Sequence, residues 1–285
     1  MKAKDKIFKI KNTLNLRGSL VSLETPAVMG ILNVTPDSFY SLSRKTQSGT
    51  ILTAAEKMLK DGALIIDIGG YSSRPGADHI SSQEELKRVI LAIELIIKEF
   101  PSTNISVDTF RSEVARTAIE AGACMINDIS GGELDPLMFD TIVDLKVPYI
   151  MMHMKGTPQN MVKNSNYDHL IKEVLLFFAR KVDELRLRGV SDIILDPGFG
   201  FSKTPDQSYE ILRNLNYFKA LRLPLLAGLS RKSMIYKTLG ITAHEALNGT
   251  TALNMIALMN GASLLRVHDV KEAKETIELY KSTYS

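Results

Sequence analysis

A repeating unit constrains the fold of this chain more than any other feature of its sequence. In each copy a helical stretch ends at a glycine, a short apolar strand follows, and the strand ends at a polar side chain. Glycine suits the left-handed conformation that ends many helices. The copies are spaced by about two βα units, since one unit takes ~30 residues. The glycines of the four clearest copies are Gly62, Gly122, Gly189 and Gly261.

Further apolar strands between these copies bring the total to about eight strands alternating with about eight helices. Strands that are apolar on both faces indicate a parallel sheet covered by helices. We therefore predict an α/β fold, a closed (β/α)8 TIM barrel rather than an open doubly wound sheet. The predicted helices cover residues 50–60, 81–100, 111–121, 136–146, 167–188, 206–221, 243–260 and 270–283.

A short segment precedes the first barrel strand, which we place at residues 28–34. Apolar residues fall mostly on alternate positions before Pro26, which predicts a small β-hairpin closing one end of the fold. The sequence contains no linker or low-complexity run. We expect a single domain, with residues 1–25 as the hairpin and 26–285 as the barrel.

Composition limits which binding partners and which cellular compartment we expect for this protein. The net charge is only +3 over 285 residues, and Lys and Arg are scattered, so we expect no nucleic-acid partner. No apolar run approaches the ~20 residues of a membrane span, so no membrane partner is expected. Residues 1–11 lack the apolar core of a signal peptide. The single cysteine, Cys124, cannot form an internal disulfide and is interpreted as a buried thiol. We expect a cytoplasmic protein.

Polar residues stand at the predicted ends of the strands, where barrels of this class keep their active sites. Unpaired buried charge costs several kcal/mol, so a ring of acids, amides and cations is better explained by a polar cavity than by an inert core. Such a cavity suits a polar heterocycle joined to an anion. The residues are Asn33, Asp67, Asp108, Asn127, His153, Asp196, Arg266 and His268.

Three subsites follow from these positions. Asp108, Asn127 and Asp196 offer acceptors and an amide to a ring with an amino-amide edge. Arg266 and His268, with Lys232 after the seventh strand, occupy the loops where barrels often hold phosphate, and a helix start at Ser233 adds free N–H groups. The Gly/Pro-framed loop at 69–76 could close over a second substrate. An oxygen ligand such as Asn33, beside a polyphosphate, could hold Mg²⁺.

The aspartates and His153 each also have a structural interpretation. Asp196, which is followed by Pro-Gly-Phe-Gly-Phe, could cap the next helix instead of binding a ligand. Asp67 could pair with Arg74, and His153 could be a core histidine. The histidines are not at the spacing of metal ligands, which makes a zinc site unlikely on sequence grounds.

Eight motifs, in order, resemble those of the dihydropteroate synthase family. The first is residues 29–39 (Met-Gly-Ile-Leu-Asn-Val-Thr-Pro-Asp-Ser-Phe), and the second is residues 66–77 (Ile-Asp-Ile-Gly-Gly-Tyr-Ser-Ser-Arg-Pro-Gly-Ala). The resemblance runs from about residue 26 to the last residues of the sequence. The other six motifs lie at residues 107–109, 126–129, 152–154, 196–203, 228–233 and 266–269.

The resemblance implies a (β/α)8 barrel, usually a homodimer, that uses Mg²⁺. It implies condensation of 6-hydroxymethyl-7,8-dihydropterin pyrophosphate with 4-aminobenzoate, giving 7,8-dihydropteroate and pyrophosphate in folate biosynthesis. The pyrophosphate would leave before the amine attacks. It also implies that sulfonamides, as mimics of 4-aminobenzoate, target the protein. The apolar residues 250–265 fit the family's dimer interface, although a purely internal helix would also explain them.

The resemblance also assigns roles to residues of this sequence. The pterin ligands would be Asp108, Asn127, Ile129, Met152, Asp196, Phe201, Gly228 and Lys232. The pyrophosphate ligands would be Asn33, Arg266 and His268, with Asn33 also binding the metal. The aminobenzoate site would comprise Phe39, Ser73, Arg74, Pro75 and Ser233. The residues carrying the chemistry would be Asp108, Lys232, Arg266 and His268.

Two departures and three rival functions are relevant to this prediction. Tyr-Ser-Leu-Ser follows Phe39 where the family often has Ser-Asp-Gly-Gly, and Tyr71, Ser72 and Ser73 replace the common Glu-Ser-Thr.

The three rival functions differ in their chemistry. A corrinoid-dependent pterin methyltransferase would share the heterocycle pocket. An aldolase could use Lys232 as a Schiff base, and a non-catalytic pterin-binding protein could retain the fold.

Overall fold

Eight parallel strands form a closed barrel in the computed structural model, which describes residues 11–35, 44–72 and 79–284. A two-stranded antiparallel hairpin, β1 and β2, precedes the barrel strands β3 to β10. The sheet order is β8-β7-β6-β5-β4-β3-β10-β9, and a parallel bridge between Leu195 and Leu225 joins its two ends. The strands are β1 Thr13–Leu16, β2 Ser19–Ser22, β3 Ala27–Asn33, β4 Ile65–Gly69, β5 Ile105–Asp108, β6 Met125–Asp128, β7 Tyr149–Met152, β8 Ile193–Asp196, β9 Leu226–Ala227 and β10 Leu264–Val267.

Nine α-helices and three short 3-10 helices surround the barrel within the described ranges. None of these helices is long and apolar enough to cross a bilayer. The α-helices are α1 Arg44–Lys60, α2 Ser82–Glu99, α3 Ser112–Glu120, α4 Met138–Leu145, α5 Leu170–Leu187, α6 Pro205–Arg213, α7 Ser233–Leu239, α8 Leu247–Met259 and α9 Val270–Tyr284. The 3-10 helices are Met161–Lys163, Leu215–Leu221 and Ala243–Glu245.

The predicted TIM barrel and its N-terminal hairpin are both confirmed. The hairpin turns at Arg17 and Gly18, which have φ values of 53° and 82°. Its inward side chains, Leu14 and Leu16, pack with Leu23 against the first inward residues of the barrel strands, such as Met29 and Ile65. The hairpin therefore closes the N-terminal end of the barrel and leaves the C-terminal end as the open mouth.

Several helix boundaries differ from the predicted ones. Helix α1 begins at Arg44, six residues before the predicted start at Thr50. The predicted helix at 206–221 divides into α6 and a 3-10 helix, and α7 forms a separate helix after Lys232. The predicted helix at 243–260 begins with a 3-10 turn closed by a capping box between Thr242 and Glu245. At α6 the capping box of Thr204 and Gln207 starts the helix one residue before the predicted start.

Candidate active site

Parallel strands end on one side of the barrel, so the polar residues at their ends converge on its mouth. Hydrogen-bonded strand pairs place them next to one another: Asn33 is opposite Gly69, Gly69 is opposite Asp108, and Asp108 is opposite Asn127. Asp196 ends β8, and Arg266 lies on β10. These strand-end residues therefore lie at one mouth of the barrel, and the contacts below show which of them touch.

The centre of the site is Arg266, whose guanidinium bridges two carboxylates. Its Nε donates to Asp67 Oδ2 at 2.6 Å, and its Nη2 donates to Asp108 Oδ2 at 2.6 Å. Asn127 Nδ2 donates to the same Asp67 oxygen at 2.9 Å. Asp67 thus pairs with Arg266; the alternative partner Arg74 lies outside the described residues. The buried carboxylate of Asp67 therefore holds the guanidinium inside the barrel, and the second acid, Asp108, is partly exposed at the mouth.

Burial controls the protonation of this network. Burial raises the pKa of Asp108 to about 7, against the opposing effect of Arg266 and with added repulsion from Asp67. Burial alone would lower the pKa of Arg266, but the carboxylates of Asp67 and Asp108 raise it above its usual range. The guanidinium therefore stays charged, while Asp108 can gain or lose a proton near neutral pH.

A second ionic group consists of Asp196 and Lys232, on either side of Gly228. A Cβ atom at Gly228 would lie 3.8 Å from both Asp196 Oδ2 and Lys232 Nζ, at ordinary van der Waals contact, so the carboxylate and the ammonium both lie next to this glycine. Asp196 Oδ1 accepts from the Gly198 backbone N–H at 2.8 Å, within its own turn. Burial lowers the pKa of Lys232 to about 8, and Asp196 opposes that shift.

The turn after β8 holds Lys232 from two directions. Its Nζ donates to the Phe199 carbonyl oxygen and lies 4.6 Å from the centroid of the Phe201 ring. Such a cation–π contact adds to the hydrogen bond in fixing the ammonium. Lys232 is therefore held beside an aromatic face at the mouth, rather than extended into solvent.

An apolar wall adjoins these charged groups. Ile129, Met152 and Phe201, all predicted to line a ring-binding slot, belong to one cluster with Met154 and Met161. The first two are 5% and 3% exposed. An apolar cluster beside acceptors and an amide suits a polar heterocycle, whose faces are apolar and whose edge carries hydrogen-bonding groups.

His268 and Ser233 lie on the side of β9 and β10. His268 Nδ1 is 2.9 Å from Ser230 Oγ, which also accepts the His268 backbone N–H at 3.2 Å. Because the hydroxyl can then donate its proton to Nδ1, the arrangement favours the tautomer with a proton on Nε2. Ser233 is the first residue of α7, directly after Lys232.

Asn33 and the adjacent glycine form a small cradle at the end of β3. A Cβ atom at Gly69 would lie 3.2 Å from Asn33 Oδ1 and 3.8 Å from Asp108 Cβ. The glycine therefore keeps open the space between an amide oxygen and a carboxylate side chain. One or two oxygen donors next to substrate phosphates are the setting in which proteins bind Mg²⁺, so the donor set fits that ion.

Four predicted residues, Phe39, Ser73, Arg74 and Pro75, lie outside the described part of the chain. The structural interpretation of His153 is supported instead of a role at the mouth. It is 3% exposed, its ring packs edge-on against Phe177 at a centroid distance of 4.8 Å, and burial together with Lys203 lowers its pKa to about 2. Cys124 is buried, as predicted.

Sequence reasoning missed an aromatic group at the ends of β4 and β5. The Tyr71 hydroxyl accepts from Gln159 Nε2 at 2.5 Å, its ring packs edge-on against Phe110 at 5.2 Å, and the Arg111 guanidinium lies 5.4 Å from the ring centroid. The Arg111 side chain also pairs with the buried Glu85 at 2.6 Å. The only sequence signal was an aromatic residue two positions after a strand; Gln159 gave none.

Comparison with known proteins shows which family this chain resembles. The sequence pattern of the family described as pterin-binding enzymes matches residues 29–268. A dihydropteroate synthase from Haemophilus influenzae is 40% identical over 92% of this chain and 96% of its own length.

Two crystal structures resemble the whole chain. A Yersinia pestis dihydropteroate synthase with a sulfonamide drug complex superposes with a TM-score of 0.89 at 39% identity, covering 95% of this chain and 98% of that one. A Xanthomonas albilineans dihydropteroate synthase with 4-aminobenzoic acid gives a TM-score of 0.88 at 35% identity, covering 96% and 98%. The chain belongs to the pterin-binding enzyme family, and within it to the dihydropteroate synthases.

Proposed function

We propose that this protein condenses 6-hydroxymethyl-7,8-dihydropterin pyrophosphate with 4-aminobenzoate, giving 7,8-dihydropteroate and pyrophosphate in folate biosynthesis. The observation that carries the proposal is the Arg266 guanidinium, held by Asp67 and Asp108 in a site that also contains Asp196 and Lys232. In a dihydropteroate synthase fold, this places cationic and acidic groups next to one apolar wall, as a pterin joined to an anion requires.

The pterin would occupy the slot between the acids and the apolar wall. Acceptors on Asp108 and Asp196 and the amide of Asn127 suit the amino-amide edge of the ring. Gly228 lets the ring approach Lys232 closely, and the side chains of Ile129, Met152 and Phe201 would contact its faces.

The pyrophosphate would bind on the side of Arg266 and His268. The Arg266 guanidinium would offer charged N–H donors to the pyrophosphate, and the His268 ring would offer Nε2–H in the tautomer that Ser230 favours. Asn33 would hold Mg²⁺, which when bound supplies positive charge against the pyrophosphate oxygens. The cradle that Gly69 leaves beside Asn33 supports this assignment.

The reaction would proceed by departure of pyrophosphate ahead of amine attack. The C–O bond breaks, and its electron pair stays with the pyrophosphate oxygen, where Arg266 and His268 offset the growing negative charge. The carbon left behind is allylic to an electron-rich ring, and Asp108 and Asp196 offset the positive charge spread into that ring. The aminobenzoate nitrogen then forms the new C–N bond and loses a proton.

The 4-aminobenzoate would bind near Ser233 and the segments that carry Phe39, Ser73, Arg74 and Pro75. Ser233 supports this placement, because it begins α7 directly beside Lys232. The Xanthomonas relative whose structure contains 4-aminobenzoic acid supports 4-aminobenzoate as the second substrate. We expect sulfonamides to compete with 4-aminobenzoate in steady-state assays, as mimics of that substrate, and non-competitive inhibition would contradict a shared subsite.

The decisive experiment is pyrophosphate release from dihydropterin pyrophosphate, measured with and without 4-aminobenzoate. We expect release with stoichiometric dihydropteroate formation when both substrates are present. Binding of the pterin without release would favour a non-catalytic pterin-binding protein, and methyl transfer from a methylated pterin would favour the methyltransferase. Labelling of Lys232 by borohydride with a carbonyl substrate would favour the aldolase.

We also propose a homodimer, a single domain that extends over residues 1–285, and a cytoplasmic location. Exposed apolar residues on α8 and α9 support the dimer, since they need a covering surface. The hairpin that packs against the barrel strands supports one domain. A single buried cysteine suits a reducing compartment.

A further inference from the structure

The side-chain amine of Lys203, which follows the turn after β8, is buried against backbone carbonyl groups. The residue is 7% exposed. Its Nζ lies 3.0 Å from the Phe201 carbonyl oxygen, 3.2 Å from the His153 carbonyl oxygen and 3.0 Å from His153 Nδ1. Burying an amine is costly unless its hydrogen bonds are satisfied, so these three contacts account for its position.

These contacts are satisfied in either protonation state of the amine. The two carbonyl oxygens only accept, so Nζ donates two N–H groups to them in both states. Burial lowers the pKa of Lys203 well below its usual range, and the low pKa of His153 keeps that ring neutral. A neutral amine accepts from His153 Nδ1–H, whereas an ammonium donates to Nδ1 in the other tautomer.

The Lys203 amine holds in place the turn at residues 197–201, which contributes to the candidate active site. Gly198, at φ 73°, lies so close to the His153 carbonyl oxygen that any Cβ there would overlap it. Phe199 accepts the hydrogen bond from Lys232 Nζ, and Phe201 presents its ring to the same ammonium. The two groups that hold Lys232, the Phe199 carbonyl oxygen and the Phe201 ring, therefore lie on one turn. Lys203 joins this turn to His153, the residue that follows β7.

We infer that Lys203 is a positioning residue for pterin recognition: it fixes the 197–201 turn against β7 and thereby holds Lys232 at the mouth. The inference rests on the proposed role of Lys232 as a pterin ligand. The effect of Lys203 should therefore appear in pterin affinity and should depend on Lys232. A residue that only supports the fold would lower stability without this dependence.

The test begins with Lys203→Met, which keeps the length of the side chain and removes its hydrogen bonds. We expect the KM for dihydropterin pyrophosphate to rise about tenfold, since a displaced Lys232 loses an interaction worth about one order of magnitude in affinity. The KM for 4-aminobenzoate at saturating pterin should stay within about twofold. Lys155→Met is the matched control, because its Nζ contacts Glu173 and the Asn166 carbonyl oxygen on the outer side of the same region.

A double-mutant cycle decides how Lys203 acts. Calorimetric titration with dihydropterin pyrophosphate should show that Lys203→Met adds little to the loss already caused by Lys232→Met. If the two losses multiply, or if Lys203→Met leaves pterin affinity unchanged, the inference is wrong. Lys203→Gln, which can still donate to one carbonyl, provides an intermediate point and serves as the variant if Lys203→Met does not fold. Failure of the wild-type protein to bind the pterin would overturn the proposed function instead.

Discussion

At the scale of single residues, the site depends on one guanidinium shared between two acids. Asp67 is fully buried, and within the described part of the chain Arg266 and Asn127 donate to one of its oxygens, while Asp108 faces the mouth. In the proposed mechanism, Arg266 would therefore serve both the fold, through these ion pairs, and the chemistry. Its removal would leave two neighbouring carboxylates in a site that cannot hydrate both.

We expect Arg266→Met to lower kcat/KM by at least about 100-fold, as loss of a charged group that stabilises a leaving group does. Pyrophosphate release is the measurement. Arg116→Met is the control, because Arg116 forms a surface pair with Asp144 far from the mouth. Near-normal turnover in the Arg266 variant would remove it from the chemistry.

The raised pKa of Asp108 makes a prediction about stability. Because its pKa in the folded protein is about 7, well above the ordinary value for an aspartate, the native state binds a proton that the unfolded state has already lost. That contribution is present in full below about pH 4 and is lost as pH rises through 7, by up to about 1.4 kcal/mol per pH unit. Urea unfolding at pH 5.5 and pH 8.0 should therefore show a larger decrease for the wild type than for Asp108→Asn.

The exposed Asp206→Asn variant serves as the control for that experiment. It should follow the wild-type pH dependence. An Asp108→Asn protein whose stability falls with pH as steeply as the wild type would show that other buried acids, such as Glu85 and Asp196, account for the dependence.

The sequence predicted which residues reach the site but not how they pair. Asp108, Asn127, Asp196 and Arg266 could be identified because each ends or lies in a recognisable apolar strand. The Asp67–Arg266 pair joins residues 199 positions apart, and it depends on the register of β3, β4 and β10, which the sequence does not show. The role of Lys203 was missed because its partners are mainly backbone atoms.

At the scale of secondary-structure elements, α7, the helix that begins at Ser233, packs closely against α8. Gly249, in α8, faces Ile235 of α7 so closely that an added Cβ would overlap Ile235 Cγ2. Ile235 is 2% exposed and branched at Cβ, so it cannot easily move aside. The glycine is therefore a requirement of close helix packing.

We expect Gly249→Ala to destabilise the protein by about 1–2 kcal/mol, because overpacking outweighs the ~1 kcal/mol that alanine gains in a helix. Unfolding in urea, followed by tyrosine fluorescence in this tryptophan-free chain, gives the measurement. Gly49→Ala in α1 is the matched control: none of the described residues lies within 4 Å of its added Cβ, so it should be neutral or stabilising. Equal effects at the two positions would contradict the packing argument.

Helix existence was predictable from periodicity, whereas helix ends depended on local chemistry. The Thr204-Pro205-Asp206 signal predicted a helix from residue 206, and the capping box of Thr204 and Gln207 starts α6 one residue earlier, at Pro205. The Thr242–Glu245 box was not recognised, so α8 was extended too far toward its N-terminus. The break after Arg213 follows from tertiary packing of Leu215 and Phe218, which periodicity alone cannot reveal.

At the scale of the whole molecule, apolar side chains remain on the surface of two adjacent helices. Ile256 and Met259 of α8 lie one turn apart and are 39% and 53% exposed, and Leu279 of α9, which packs against α8, is 64% exposed. A second copy of the chain would cover them.

We expect Ile256→Glu to shift the protein from dimer to monomer in analytical ultracentrifugation, because a charge buried at an apolar interface is unfavourable. Leu187→Glu is the control, since Leu187 is 89% exposed at the end of α5. A dimer that persists in the Ile256 variant would place the interface elsewhere.

The pairing of β3 with β10 has a consequence for the order in which the protein can mature. The first barrel strand has β10 as one of its neighbours, so the cylinder stays open until residues 264–267 have emerged from the ribosome. The same late strand delivers Arg266 to Asp67 and Asp108. A nascent chain that stalls before this point therefore carries these two acids without the guanidinium that pairs with them in the folded protein.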